Sequence, residues 1–421
     1  MQTNGQRIGV IGSGVAGLTA AYLLQRRFDV LLFEADGRLG GHAHTHDVPS
    51  AHGGTIGVDS GFIVHNERTY PNLLRLFREL GVATQDTEMS MSIHCDGCGL
   101  EYAGAKGLRG LFAQPRSFAR AKYLRMLVEI KRFHGHARRV LDSPDGDVTI
   151  GAFLDAGRYT KYFVDHFMLP VVSTVWSADR ADTLRYPARY LFEFLRNHGM
   201  LSVGGSPSWR TVVGGSREYV DRAVKQLTAV HLSTPVLSVH RRAGGIEIRD
   251  DADTAHHVDR VVIATHADQA LTLLAEPTRT ERDVLSPFRY SDNEAWLHTD
   301  AAALPVSPAA RSAWNFRSST CGSDEGAVQV SYDMNRLMRL TEPTGYVVTL
   351  NPPAPPPARS VVARMDYSHP VFTPESVAAQ RLLPGLNDGT VAFAGAYHGW
   401  GFHEDGCASG VRAAESFGVT W

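Results

Sequence analysis

The feature that most constrains this chain lies at its start. Arg7-Ile8-Gly9-Val10-Ile11 reads as a short buried strand. Gly12-Ser13-Gly14-Val15-Ala16-Gly17 follows at once, and Leu18 to Arg27 has the apolar spacing of a helix. Strand, glycine turn and helix in this order are what a dinucleotide pyrophosphate needs. Gly12 permits the tight turn, Gly14 removes the Cβ that would block a phosphate, and Gly17 lets helix and strand pack closely. Gly12, Gly14, Ala16 and Gly17 are therefore the first cofactor-binding candidates, with freed amides and the helix dipole facing the phosphates. Asp29 to Phe33 reads as a second parallel strand, and Glu34 ends it, 20 residues after Gly14. An acidic side chain there can bind both ribose hydroxyls and disfavours a 2′-phosphate, so NADP is not expected. A Glu at a strand end can also be a plain surface residue; the whole constellation decides for the nucleotide.

The rest of the composition narrows the class. At 421 residues the chain can bury a sizeable core, with two domains as the prior. A net charge of -2 gives no basic field for nucleic acid. Residues 1–6 lack a charged segment leading into an apolar one, and no apolar run reaches the ~18 residues of a membrane helix. Four irregularly spaced cysteines fit a reducing compartment, so the expected location is the cytoplasm. No internal repeat is visible.

Glu34-Ala35-Asp36-Gly37-Arg38-Leu39-Gly40-Gly41 resembles the E-x-x-x-R-x-G-G segment of the amine oxidase and phytoene desaturase superfamily. The resemblance implies FAD, with Glu34, Arg38, Gly40 and Gly41 around its ribose and pyrophosphate. His42 stands where many members have Arg. Gly214-Gly215 before an amphipathic stretch, Tyr219 to Leu227, resembles the segment where the chain returns to the FAD domain. His231 to Val239 then reads as a strand, and Val236 takes the place of the residue whose backbone contacts adenine in the family. Val258 to Thr265 is a buried strand. Thr390 to Gly395 is another, followed by a small-residue helix start at Gly406 to Ala414. In the family that helix points at the flavin and stabilises its reduced form. Gly395 and Cys407 are thus cofactor-binding candidates. Ala396 replaces the acidic residue usual after that glycine.

Longer stretches narrow the resemblance. Val58 to Leu73, Asn293 to Asp300, Ser331 to Leu337, Tyr367 to Thr373 and Gly395 to Gly406 look like the bacterial NAD/FAD-binding proteins associated with cyclopropane-fatty-acid synthases. That association implies an apolar, fatty-acyl or lipid-like substrate, and a lipid methyltransferase as a partner. The expected fold is α/β. A discontinuous Rossmann-like FAD-binding domain (1–84, 201–274 and 386–421) would carry an inserted α+β substrate domain (85–200 and 275–385). Helices are expected over Pro115 to Ala137, Ile150 to Ala156, Tyr159 to Pro170 and Pro187 to Asn197. Strands are expected over Ala327 to Tyr332 and Tyr346 to Leu350.

For the chemistry, amine-oxidizing members often use a Lys in a segment matching Glu281 to Asp300. That segment holds no Lys, and none follows Lys225, which argues against ordinary amine oxidation. His398, His403 and Glu404 lie between the Gly395 strand end and the flavin helix. A histidine there can move a proton while flavin takes a hydride. Tyr397 and Trp400 could flank the ring. The competing reading is that His403 and Glu404 cap the helix start and hold a loop, with Asp405 structural; both are also cofactor-binding candidates. His65, beside Asn66, is a second catalytic candidate or a hydrogen-bonded loop histidine; His298 reads as core. Cys95-Asp96-Gly97-Cys98 could be half a zinc site or a redox pair. The nearest later cysteines are Cys321 and Cys407, so it reads as a hairpin turn with two thiols and no metal. Open functions are hydride abstraction from an acyl chain, redox-neutral double-bond isomerisation, amine oxidation, or a non-catalytic flavin-bound partner of a methyltransferase. Peripheral membrane contact is compatible with all of them.

Overall fold

The computed structural model describes residues 5–143, 147–176, 178–201, 206–322 and 329–421. Its organising element is a five-stranded parallel sheet. In spatial order the strands are Ala229–His231, Asp29–Phe33, Arg7–Ile11, Arg260–Ile263 and Val391–Phe393. The central strands are apolar almost without a break, as strands buried on both faces must be; Ile8, Val10, Val30, Leu32, Val261 and Phe393 are all fully buried.

One face is covered by two helices, Val15–Leu24 and His403–Ser416. Their close approach is written in small residues. A Cβ on Gly410 would lie 2.3 Å from the Ala16 carbonyl oxygen, and one on Gly406 would lie 2.6 Å from a Val15 methyl. The other face is covered by an antiparallel sheet of Val236–Arg242, Gly245–Asp250 and Ala255–Val258, whose Ile248 methyl fills the space a side chain at Gly9 would take.

A seven-stranded sheet forms a second layer. Its order is Val361–Val371, Arg289–His298, Val347–Leu350, Gln329–Asp333, Trp314–Ser318, Met91–Cys95 and Leu100–Tyr102. All its pairs are antiparallel except Trp314–Ser318 with Met91–Cys95. The helices Ala121–Asp142, Ile150–Ala156, Leu169–Trp176 and Ala188–Asn197 share an aromatic-rich core with it, including Tyr102, Phe133, Phe192 and Phe316. The fold is thus the expected α/β class with a Rossmann-like nucleotide sheet.

Three local expectations are corrected. The strand expected over His231 to Val239 is two strands, because the chain turns at Ser233 (φ 49°) and crosses over the end of the Asp29–Phe33 strand. The helix expected from Pro115 opens as a 3-10 turn, Pro115–Ala119, and becomes α-helical only at Ala121. The helix expected over Tyr159 to Pro170 runs from Lys161 through a π turn, Val164–Met168, into Leu169–Trp176. Pro170 has no N–H for the carbonyl of His166; that carbonyl instead accepts a hydrogen bond from the Tyr102 hydroxyl at 2.7 Å. Residues 327 and 328 of the strand expected over Ala327 to Tyr332 lie outside the described residues.

Candidate active site

The nucleotide end is built from backbone. Gly12 turns the chain at φ 98°, where a Cβ would lie 2.8 Å from the Ala264 carbonyl oxygen. A Cβ on Gly17 would fall 1.9 Å from the Gly12 oxygen, so this residue closes the turn against the helix, with Ala16 beneath the C-terminal helix. Gly14 differs from both: a Cβ there meets nothing within 4 Å, so its space is open on the side where the helix begins. Gly41 (φ 56°) faces it, since a Cβ there would lie 3.1 Å from the Gly14 Cα; Gly40 packs on Ala43. The two glycine segments thus bound one cradle, of the kind that admits a pyrophosphate.

Glu34 is fixed at the edge of that cradle. One carboxylate oxygen accepts from the Ser13 N–H at 2.9 Å and the Ser13 hydroxyl at 2.5 Å; the other accepts from the Asp36 N–H. Ser13 also accepts from the Gly40 N–H at 3.1 Å, so it joins all three parts. Sequence reasoning passed over Ser13, a variable position within the glycine motif. The turn 232–235 folds over Glu34, with the Thr234 N–H donating to the Glu34 carbonyl, and delivers Val236 to the same end. Arg38 is half-buried, and its charge helps to lower the basicity of His42, His44 and His46. Gly395 ends its strand with its N–H donating to the Ser409 hydroxyl.

At the other end several expectations are corrected. Glu404 accepts from the N–H groups of Asn72 and Leu73 and from the Asn72 side chain. It caps the helix Pro71–Leu80, whose first N–H groups need an acceptor; both its oxygens are engaged there. Cys407 is fully buried between the paired helices, where the Thr19 hydroxyl donates to its sulfur at 3.4 Å. Burial pushes its thiol far up. His403 stacks on Phe62 with ring centroids 3.7 Å apart, and its Nε2 lies 3.1 Å from the Tyr219 hydroxyl. That holds the Phe62 loop; His403 makes no capping bond to its own helix. Asp405 accepts from the Phe402 N–H as a structural cap, with burial pushing its carboxyl up to about 7. His298 is core, bonded to Thr349.

His398 and His65 keep chemical capacity. The Nε2 of His398 and both ring nitrogens of His65 are buried without a hydrogen-bond partner. Burial lowers His398 to about 3 and His65 to about 4. The loop carrying His398 is held by Gln380, which donates to the carbonyls of Tyr397 and Gly399, and by Trp176, which donates to the carbonyl of Trp400. Tyr397 turns into the core against Phe288 instead of flanking the cradle. Trp400 keeps an aromatic neighbourhood with Tyr190 and Phe194.

The group that sequence reasoning missed begins one residue beyond Gly41. His42 stacks on Tyr367 at 4.9 Å and lies 5.4 Å from His369. The Tyr367 hydroxyl bonds Ser60 at 2.8 Å and His44 at 3.1 Å; Ser60 bonds His46 at 2.8 Å. The Asn293 amide meets His369 at 3.3 Å. Burial is the main cause that lowers His42 well below its ordinary value and His369 to about 4, and that raises Tyr367 to about 12. The Nε2 of His42 is buried without a partner. At neutral pH this cluster is uncharged. Its sequence signal was the run of family-like segments, three of which, Val58 to Leu73, Asn293 to Asp300 and Tyr367 to Thr373, meet here.

A glycine-lined cradle, a fixed carboxylate and a neutral aromatic and histidine cluster beside them define a dinucleotide-dependent redox protein. Residues 15–297 match the family of flavin containing amine oxidoreductases, and the chain belongs to that family; its cofactor is FAD and it is an oxidoreductase. Cyclohexylamine oxidase from Brevibacterium oxydans IH-35A has the same fold, with a TM-score of 0.67, 16% identity and coverage of 98% of each chain. So has a CLA-producing fatty acid isomerase from P. acnes, with a TM-score of 0.65, 14% identity and coverage of 97% of this chain and 98% of that one. Over 39 residues the chain is 56% identical to protoporphyrinogen oxidase 2, chloroplastic/mitochondrial, of Arabidopsis thaliana; the match spans 9% of this chain and only 8% of that relative's length. Among the described residues no helix is long and apolar enough to cross a membrane.

Proposed function

We propose that this FAD-dependent oxidoreductase takes hydride from an apolar, fatty-acyl or lipid-like substrate. The observation that carries the reading is that burial keeps the histidines beside the cradle uncharged. His42, His369, His398, His65 and His403 are all held neutral by burial, and Trp176, Phe194, Trp400 and Phe402 pack together as an aromatic wall. Such surroundings favour a substrate that brings no charge of its own. The strand Arg289–His298, which matches the lysine-bearing segment of amine-oxidizing members, carries no Lys.

In this reading Glu34 holds the ribose, Gly12, Gly14, Gly40, Gly41 and Arg38 hold the pyrophosphate, and Val236 lies at the adenine. FAD supplies the hydride acceptor. The unpartnered Nε2 atoms of His42 and His398 are the proton acceptors. Tyr367, kept protonated at neutral pH, fixes the His42 ring by stacking and is itself fixed by Ser60 and His44.

The test is anaerobic mixing of the purified holoprotein with fatty acyl lipids and, separately, with alkylamines. Bleaching of the oxidised flavin bands by the lipid, with a product lighter by H2, is the expected result. A lipid product of unchanged mass would assign isomerisation. Bleaching by the amine alone would assign amine oxidation. A flavin that neither substrate reduces, in a protein that co-purifies with a lipid methyltransferase, would assign the partner role.

A further inference from the structure

From three separated stretches of sequence, four side chains converge outside the nucleotide cradle. The Sγ atoms of Cys95, Cys98 and Cys321 and a ring nitrogen of His166 all lie within 4.8 Å of one another. Cys95 and Cys321 have sulfurs 3.6 Å apart, and Cys98 Sγ is 3.4 Å from His166 Nε2. A tetrahedral zinc ion with ordinary bond lengths sets its sulfur ligands about 3.8 Å apart and sulfur and nitrogen about 3.6 Å apart. All four cysteines of the chain are free of disulfides.

We propose that Cys95, Cys98, Cys321 and His166 bind one zinc ion in a closed Cys3His site. This departs from the metal-free two-thiol turn that the sequence favours. The turn itself is present: Met91–Cys95 and Leu100–Tyr102 pair as a hairpin. Its Gly97 lies so close to the Cys321 loop that a Cβ would meet the Cys321 nitrogen at 2.8 Å, and the Asp96 N–H donates to the Ser318 carbonyl.

The fourth ligand is positioned by the chain around it. The His166 Nδ1 lies 3.0 Å from the Tyr162 carbonyl oxygen, which makes Nδ1 the protonated nitrogen and leaves the Nε2 lone pair for a metal. A carbonyl on the far nitrogen is the usual orienting contact of a zinc-bound histidine. The Tyr162 ring also stacks on the imidazole at 4.1 Å. His166 sits in the π turn, and such turns are commonly kept where a side chain must be aimed. Three thiolates and a neutral imidazole give the zinc complex a net charge of -1. The Arg120 guanidinium donates to the Cys98 carbonyl beside it, and its second terminal nitrogen is buried without a partner.

Three thiols lose their protons to solvent on binding and nothing is oxidised. With four protein ligands the site has no open position, so its work is structural. It ties the hairpin turn, the π-turn helix and the loop after Trp314–Ser318 together.

The experiment is elemental analysis of the full-length holoprotein, purified with a reductant and desalted. One zinc per chain is expected. Because Cys321 is exposed, Cys321→Ser should fold with its flavin spectrum intact yet retain little zinc. His166→Ala serves as a second variant, judged by the same pair of readouts. Exchange of the zinc for cobalt(II) should give ligand-field bands in the red, beyond the flavin absorption, with the intensity of a tetrahedral thiolate site. The proposal is overturned if reduced, flavin-loaded protein incubated with excess zinc retains none after gel filtration. A Cys95–Cys321 disulfide in protein kept anaerobic and reduced throughout would overturn it as well.

Discussion

The nucleotide cradle and the histidine cluster are neighbours, yet they are made in opposite ways. The cradle is backbone. Gly12, Gly14, Gly17, Gly40 and Gly41 act through what they lack, and they fall within thirty residues of one another. The cluster is side chain. His42, Ser60, Asn293, Tyr367 and His369 come from four separated stretches and act through burial, stacking and shared hydrogen bonds. Binding by main-chain groups tolerates few residues at each position and so leaves a pattern. Chemistry by buried side chains depends on three-dimensional surroundings and leaves almost none.

The widest separation of the two should come from His42→Phe. The ring keeps its stack on Tyr367 but loses the free Nε2, so flavin content should be unchanged. The rate of flavin reduction should fall by roughly 10²- to 10⁴-fold, the usual contribution of a general base. An equal loss of flavin would merge the two regions into one.

A paired experiment on the cradle comes next. Gly17→Ala forces a Cβ against the Gly12 oxygen and should cost about 3 kcal/mol or more of stability, with folding and flavin lost together. Gly14→Ala enters open space; its apoprotein should melt near the parent while flavin affinity falls about ten- to hundredfold, roughly 1.4–2.8 kcal/mol. Thermal melts of the apoproteins and FAD titrations separate the two roles.

The motif from Arg7 to Gly41 was legible because period and glycine spacing are local quantities. Glu404 was not. Its position just inside the C-terminal helix suits a cofactor contact, and only the fold shows it turned toward the helix Pro71–Leu80. The Cys407 environment was hidden for the same reason, since a helix start has two faces; in the fold its sulfur lies against Thr19. The reverse failure is Cys95 and Cys98: Cys321 is 226 positions from Cys95, and His166 is 68 from Cys98. No spacing rule spans such intervals. The break in the strand at Leu232 to Pro235 was missed because Pro235 was counted within a strand when its N–H-free backbone suited the turn.

Acidification should weaken the histidine cluster more than the cradle. His65, His369, His398 and His403 stand at about 3 to 4 when folded against 6.5 for the free side chain. The unfolded chain therefore binds more protons below pH 6.5, so their contribution to stability is complete above 6.5 and is lost as pH falls toward 4. Asp59 and Asp405 act oppositely, raised to about 6 and about 7 from 3.8; the folded chain holds protons there that the unfolded one releases. The four histidines outweigh the two carboxyls, and the melting temperature should drop between pH 6.5 and 5. A melting temperature that rises over that interval would contradict the neutral assignment.

The smallest effect should be Glu404→Gln. It weakens a cap on the helix Pro71–Leu80 at about 1 kcal/mol, seen as a lower melting temperature, with flavin reduction by substrate unchanged. A large loss of rate would return Glu404 to the reaction.

The most direct measurement is the visible spectrum of the purified protein, followed by heat release of any chromophore and its identification by mass. The bands of an oxidised flavin and a freely released FAD are the predicted result, since Glu34 and the paired glycine segments suit a dinucleotide and the Cys407 sulfur is buried against Thr19. A protein that stays colourless after incubation with FAD would contradict the account at its centre.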